Sequence, residues 1–256
     1  MDVVVSNLLG GIAVQTVVLV ALDAFGVRVR RPLTYQAASL QLVLEGAAVV
    51  AVLTVVVMGA QLPKSAIAFR LTPDVVAIAV VWMVGLLLTQ RAADATKKGV
   101  STARAVAVFG AAATVTLVAG ALLEESGSQA ADHVGLSGVP FGATVLADAT
   151  SLPELSIGIT AVRSGDYQLA FGDIFGGNAF LPVRLLLATG ISGKAILPNA
   201  HNSDLYLTAL GAVVTIIYVA GLLFRPAKEH ARLGVDSIAV LVVYLVGVVG
   251  LTILPS

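Results

Sequence analysis

The chain has 256 residues, no cysteine, a formal net charge of zero, and 12% charged against 58% hydrophobic residues; its mean hydropathy is +0.97. Soluble domains carry about 25% charged residues, so a water-soluble fold is excluded for want of side chains to cover its surface. Disulfides and thiolate metal sites are excluded with the cysteines, and the neutral charge balance argues against nucleic acid as a partner.

A helix that crosses a bilayer needs about 20 mostly apolar residues. On that basis the chain is predicted to be all-α, a polytopic membrane helical bundle with about eight transmembrane helices. In chain order the spans are 3–25, 39–60, 75–88, 103–123, 139–162, 169–191, 205–224 and 238–254. The first has no basic region before it and is too long for a signal peptide, so it reads as a true span. The third is short and can extend at either end. The longest polar connections are 90–102 and 124–137, so no soluble domain fits between spans. His133, His201 and His230 lie far apart and make no metal motif.

Eight spans put alternate loops on opposite sides. Arg28, Arg30, Arg31, Arg91, Lys97, Lys98, Arg104, Arg163, Arg225, Lys228 and Arg232 fall on one side; only Lys64, Arg70 and Lys194 fall on the other. The excess of Lys and Arg marks the first side as cytoplasmic. The expected location is a prokaryotic cell membrane, crossed many times, with both termini outside.

The sequence repeats itself. Leu8-Leu9-Gly10-Gly11-Ile12-Ala13-Val14 matches Ile174-Phe175-Gly176-Gly177-Asn178-Ala179-Phe180 at an offset of 166, as Pro32 matches Pro198; Gly46-Ala47 matches Gly211-Ala212 one residue out of step. Asp74-Val75-Val76-Ala77 matches Asp236-Ser237-Ile238-Ala239. Residues 1–90 read as a partial first repeat of three spans, 91–102 as a cytoplasmic linker, and 103–256 as a complete second repeat of five. Five is odd, so the copies start on opposite faces, the mark of an inverted-topology transporter. The first copy lacks its first two spans. On this reading either the chain is truncated, or its start was placed late, or the missing pair is supplied elsewhere, as by a partner.

The chemistry concentrates in Ala149-Thr150-Ser151-Leu152-Pro153-Glu154-Leu155. Placed inside a span, Pro153 would remove a helical hydrogen bond and free backbone oxygens. Thr150, Ser151 and Glu154 would share one helix face and offer hard oxygen ligands for Na⁺ or Ca²⁺. The next span opens with Gly172-Asp173-Ile174-Phe175-Gly176-Gly177-Asn178. Asp173 adds a second carboxylate and Asn178 an amide oxygen, while Gly172 and Gly176 are spaced for close helix approach. Glu154 and Asp173 are each about nine or ten residues from the link at 163–166, which places both ~15 Å deep, near the midplane.

Thr-Ser-Leu-Pro-Glu-Leu, then about twenty residues, then Gly-Asp-x-x-Gly-x-Asn resembles the second alpha-repeat of the sodium/calcium exchanger superfamily. The resemblance is dense over 141–191. It implies ten spans in two inverted repeats, and a site built from the second and third spans of each. It implies that Glu154 is a cation ligand and that Thr150 and Ser151 contribute oxygens. The chain departs from the family pattern in three places. Ala149 stands where the family has Gly, Gly177 where it has a Ser ligand, and Leu181 where it has an Asn or Asp ligand. In the first copy Asn7 aligns with Asp173, and Gln15 with Leu181.

The expected function is therefore a secondary active antiporter exchanging Na⁺, Ca²⁺ or H⁺, with Glu154, Thr150, Ser151, Asp173 and Asn178 at the ion site. No cofactor is expected, and the partners are inorganic cations, the lipid bilayer and a second copy or helix-supplying subunit. The alternative is a transport-inactive or truncated homologue that acts in assembly. No Ser/His pair, two-aspartate motif or His-Glu metal motif supports an enzyme. Glu45, Asp23, Asp148 and Arg184 are further polar residues in or near spans with no motif to explain them. Gly10, Gly11, Gly176 and Gly177 read as close-packing positions rather than ligands.

Overall fold

The computed structural model describes residues 2–25, 31–63, 70–94, 151–230 and 232–251. Helix α1 (Asp2–Phe25) is followed by the short α2 (Leu33–Ala37), then α3 (Leu40–Gly59) and α4 (Pro73–Asp94). Ser39 starts α3 by accepting a hydrogen bond from the Leu42 N–H at 3.3 Å, which satisfies a donor that the helix itself cannot. Pro73 opens α4, at the position where a missing N–H is not needed. The second half holds α5 (Leu152–Arg163), α6 (Tyr167–Phe180), α7 (Arg184–Ser192), α8 (Asn202–Phe224) and α9 (Val235–Leu251). Asp166 caps α6 through the Leu169 N–H at 3.0 Å. A two-residue antiparallel pair, β1 (Glu229–His230) with β2 (Leu233–Gly234), aligns Glu229 with Gly234 ahead of α9.

Five described segments are long and apolar enough to cross a bilayer: Asn7–Phe25, Leu40–Gly59, Pro73–Ala93, Tyr167–Ser192 and Asn202–Phe224. Val235–Leu251 is a shorter apolar helix. The chain is thus a mostly helical, multi-pass membrane protein. The predicted span 103–123 and the first part of 139–162 lie outside the described residues. The third span is longer than 75–88 and runs past residue 90, where the linker was expected to begin. The sixth is not one helix: a 3₁₀ turn at Leu181–Val183 separates α6 from α7. Pro182 sits in that turn and has no N–H to give the carbonyl four residues back, so a regular helix cannot continue through it.

The core gathers around α1, α3, α6 and α8. Phe171 is edge-on to Tyr218 at 5.6 Å and to Phe175 at 5.5 Å, and all three rings are fully buried. Such edge-on pairs add to the stabilisation from burial alone. Helix α1 packs along α8, and α6 packs along α3. Gly211 permits the first approach, since a Cβ there would lie 3.1 Å from the Ile12 side chain. Gly46 permits the second, since its Cβ would lie 3.0 Å from Phe175 and overlap Val219. Helix α4 exposes Val80, Met83, Val84, Leu87 and Leu88. An apolar helix exposed in this way suits hydrocarbon rather than water.

Candidate functional site

Helix α5 begins at Leu152, with Ser151 in the residue before it. Pro153 therefore lies in the first helical turn rather than in mid-helix, as the sequence had suggested. Its missing N–H is tolerated there because first-turn N–H groups have no intrahelical acceptor. The Ser151 carbonyl accepts the first helical bond, from Leu155 N–H at 3.1 Å. Glu154 thus sits at the third helical position, where unpaired N–H groups and the helix dipole favour a carboxylate. Ser151 is buried and precedes the helix, so it does not share a continuous helix face with Glu154. Thr150 and Asp148 lie outside the described residues.

The partner that meets Glu154 comes from the other half of the chain. Gln15 Nε2 on α1 donates to Glu154 Oε1 at 2.9 Å. One α5 turn further on, Gly158 faces Leu22 of α1 without room for a Cβ. These two contacts make α1 and α5 parallel neighbours. The remaining oxygens of the first pair, Gln15 Oε1 and Glu154 Oε2, are buried and accept no hydrogen bond among the described residues.

Asp173 follows on α6, and Asp173 and Arg184 both lie within electrostatic range of Glu154. Asp173 Oδ2 is buried without a hydrogen-bond partner. Asn178 is fully buried and acts as a tether. Its Nδ2 donates to Thr16 Oγ1 at 3.0 Å and to the Ile12 carbonyl at 3.3 Å, while Thr16 Oγ1 donates to the same carbonyl at 2.8 Å. With its amide nitrogen spent on α1, Asn178 retains an unpartnered Oδ1. The tether and the free oxygen are thus two ends of one side chain. Asn7 Oδ1, on the residue that aligns with Asp173, is also buried and unpartnered.

These side chains offer only oxygen, from two carboxylates and three amides. That is the chemistry of Na⁺ and Ca²⁺ sites rather than of zinc or copper. Among the described residues no three His, Cys, Asp or Glu side chains gather closely enough to hold a metal ion. Sequence reasoning did not place Gln15 in the site. The signal was present: Gln15 is a long polar side chain in an apolar span, and it aligns with Leu181, where the family resemblance expects a ligand.

Other polar residues take different positions. Arg184 is exposed at the start of α7. Glu45 on α3 accepts from Gln41 Nε2 at 2.8 Å. Its other oxygen would lie 3.3 Å from a Cβ on Gly172, and it borders a cavity of about 150 Å³ with Trp82, Thr89 and Gly176. Gly172 is a close-approach position, as expected. Gly11, Gly176 and Gly177 are not, among the described residues, because a Cβ on any of them would meet none of their atoms within 4 Å.

A family model described as sodium/calcium exchanger protein matches residues 104–253. The inner membrane protein YrbG of Escherichia coli (strain K12) is 33% identical over 125 residues, covering 48% of this chain and 37% of that protein. A protein of Alkalimonas amylolytica named "Putative antiporter CaxA" is 37% identical over 118 residues, covering 41% of this chain and 36% of that one. The matched stretch spans little more than a third of each relative. No solved structure matches the chain.

Proposed function

The chain belongs to the sodium/calcium exchanger family, and on that premise we propose that it is a secondary active cation antiporter whose ion site is built around Glu154 and Asp173. The observation that carries the reading is the Gln15–Glu154 hydrogen bond of 2.9 Å. It joins the two halves of the chain and leaves an unpartnered buried oxygen on each residue. Asp173 Oδ2 and Asn178 Oδ1 extend the same set of free oxygens, with Ser151 and Thr150 expected to add hydroxyls. A bare carboxylate at mid-membrane costs about 2.5–3.5 kcal/mol on insertion scales. A bound cation or proton offsets that cost, so the site crosses most easily when loaded. This bias is what couples the outward movement of one cation to the inward movement of another.

The inverted-repeat reading draws support from the packing. Asn178 and the Ile12 carbonyl it bonds are separated by 166 positions, the offset of the sequence repeat itself. A residue that touches its own repeat counterpart lies near the axis relating the copies. The pairing of α1 with α8 and of α6 with α3 also exchanges equivalent helices, as does the seating of Asp74 on Gly59 and of Asp236 on Gly221. Alternating access would then carry the site between faces by moving one set of helices past the other.

The test is flux through the full chain in sealed vesicles with an imposed Na⁺, Ca²⁺ or H⁺ gradient. Cation-dependent counterflow is expected in the wild type and lost in Glu154→Gln. Unchanged flux in that variant would overturn the role given to Glu154.

A second reading, an assembly partner without transport of its own, is favoured by Gly177 and Leu181, which stand where the family resemblance expects oxygen ligands. It predicts no flux from the chain alone under any of the three gradients.

A further inference from the structure

A second group of carboxylates lies away from Glu154, where α1 ends and α9 begins. Asp23, 4% exposed, is fully engaged. Its Oδ1 accepts from Leu33 N–H at 2.7 Å, and its Oδ2 from Gly234 N–H at 2.8 Å and Ser237 Oγ at 2.7 Å. Asp236, 6% exposed, is the opposite case: it lies in the first turn of α9, close to the backbone N–H groups of Asp236 and Ser237, yet among the described residues neither carboxyl oxygen completes a hydrogen bond. Thr34 of α2 is 1% exposed. Its hydroxyl comes up to the Asp236 carboxyl without reaching hydrogen-bond geometry, and it has no other partner.

The two carboxyls converge. A Cβ on Gly234 would lie 3.4 Å from Asp23 Oδ2 and would overlap Asp236 Oδ1. Gly221 of α8 likewise leaves space for the Asp236 carboxyl that any side chain would take. The buried Tyr218 closes the group from α8, its hydroxyl 3.3 Å from Ser237 Oγ. Among the described residues no lysine or arginine makes an ion pair with either aspartate. Burying two acidic groups with no positive partner is unfavourable unless a cation or a proton completes the arrangement.

We propose that this cluster is a second cation site, taking a hard divalent ion of the Ca²⁺ class through the Asp236 and Asp23 carboxylates and the Thr34 hydroxyl. Two carboxylates and a hydroxyl are the oxygen donors such an ion prefers. The backbone bonds to Asp23 hold one carboxylate in place, so binding needs only a small movement of Asp236 and Thr34. The ligands come from the end of α1, from α2 and from the start of α9. An ion there would reinforce the Asp23 hydrogen bonds that already join these segments. The site is separate from Glu154 and does not depend on the transport reading.

Terbium(III), a Ca²⁺ substitute whose emission is excited by a nearby tyrosine, provides the test on the purified full chain in detergent. Wild type and Glu154→Gln are both expected to show tyrosine-sensitised emission that Ca²⁺ displaces, and a melting temperature that rises with Ca²⁺. In the Glu154→Gln background, Asp236→Asn should lose both responses. Tyr218→Phe should lose emission but keep the Ca²⁺-dependent rise. Should Asp236→Asn fail to fold, Thr34→Val is expected to raise the Ca²⁺ concentration needed for the same shift. Emission and stabilisation undiminished by Asp236→Asn or Thr34→Val in the Glu154→Gln background would overturn the site. So would a wild type that responds to neither ion, which would leave Asp236 as a neutral, protonated packing group.

Discussion

Gln15 and Glu154 lie 139 positions apart, yet the amide of one donates to the carboxylate of the other at 2.9 Å. The bond links the helix that leads the first half of the chain to the helix that carries the family's acidic motif. A hydrogen bond to a charged group contributes about 1.5–3 kcal/mol, and the effect grows where water is scarce. Each residue also keeps a second, buried oxygen without a hydrogen-bond partner among the described residues.

Gln15→Ala is therefore expected to weaken cation binding by about 10–100-fold, the affinity equivalent of a bond of that strength. The maximal rate should fall less than the affinity. The check is the half-saturating cation concentration for flux in vesicles. An unchanged value would remove Gln15 from the site.

Asn178→Ala should destabilise the helix pair α1–α6, because Asn178 bonds both Thr16 and the Ile12 carbonyl. Side-chain hydrogen bonds between membrane helices are worth about 0.6 kcal/mol on average and at most about 1.7 kcal/mol. A double-mutant cycle of Asn178→Ala with Thr16→Val, read by unfolding in detergent, should return a coupling in that range. Full additivity would mean that the tether contributes nothing.

Two glycine substitutions should behave in opposite ways. A Cβ on Gly177 meets nothing within 4 Å among the described residues, so Gly177→Ser should fold as well as wild type. It would place a hydroxyl beside Asn178 at the position where the family carries a serine ligand, and tighter cation binding is expected. Gly46→Ala, by contrast, drives a methyl into Val219 and Phe175, at a cost of about 1–3 kcal/mol. Thermal melts of the two variants, with cation titration of the first, provide the comparison.

Asp23→Ala should be strongly destabilising. The change strands the Leu33 and Gly234 N–H groups and the Ser237 hydroxyl, and each buried unpaired group costs about 1–3 kcal/mol. A melting temperature close to that of wild type would show that water replaces the carboxylate.

Membrane residence and the family were legible in the sequence, because both rest on local properties. A bilayer demands long apolar helices, and such helices show in any window of about 20 residues. The acidic motif at Thr150–Leu155 and the glycine-rich stretch beginning at Gly172 are contiguous in the chain, so their resemblance needs no folding to be seen. The break within the sixth span was also encoded, in Pro182, but helix-scale hydrophobicity concealed it.

Other features depended on packing between distant segments. Pro153 reads as a helix breaker until the start of α5 is known to fall at Leu152; the same ring is then harmless. Gly177 and Gly46 are identical letters in apolar runs, but only the three-dimensional neighbours decide that one has space and the other has none. The sequence by itself determined that this is a multi-pass exchanger-family protein. Tertiary structure alone decided that Gln15 is the group that meets Glu154 and that Asp23 and Asp236 converge. Such pairs are set by which helix faces touch, and hydrophobic patterning in a chain that is apolar on nearly every face does not specify that.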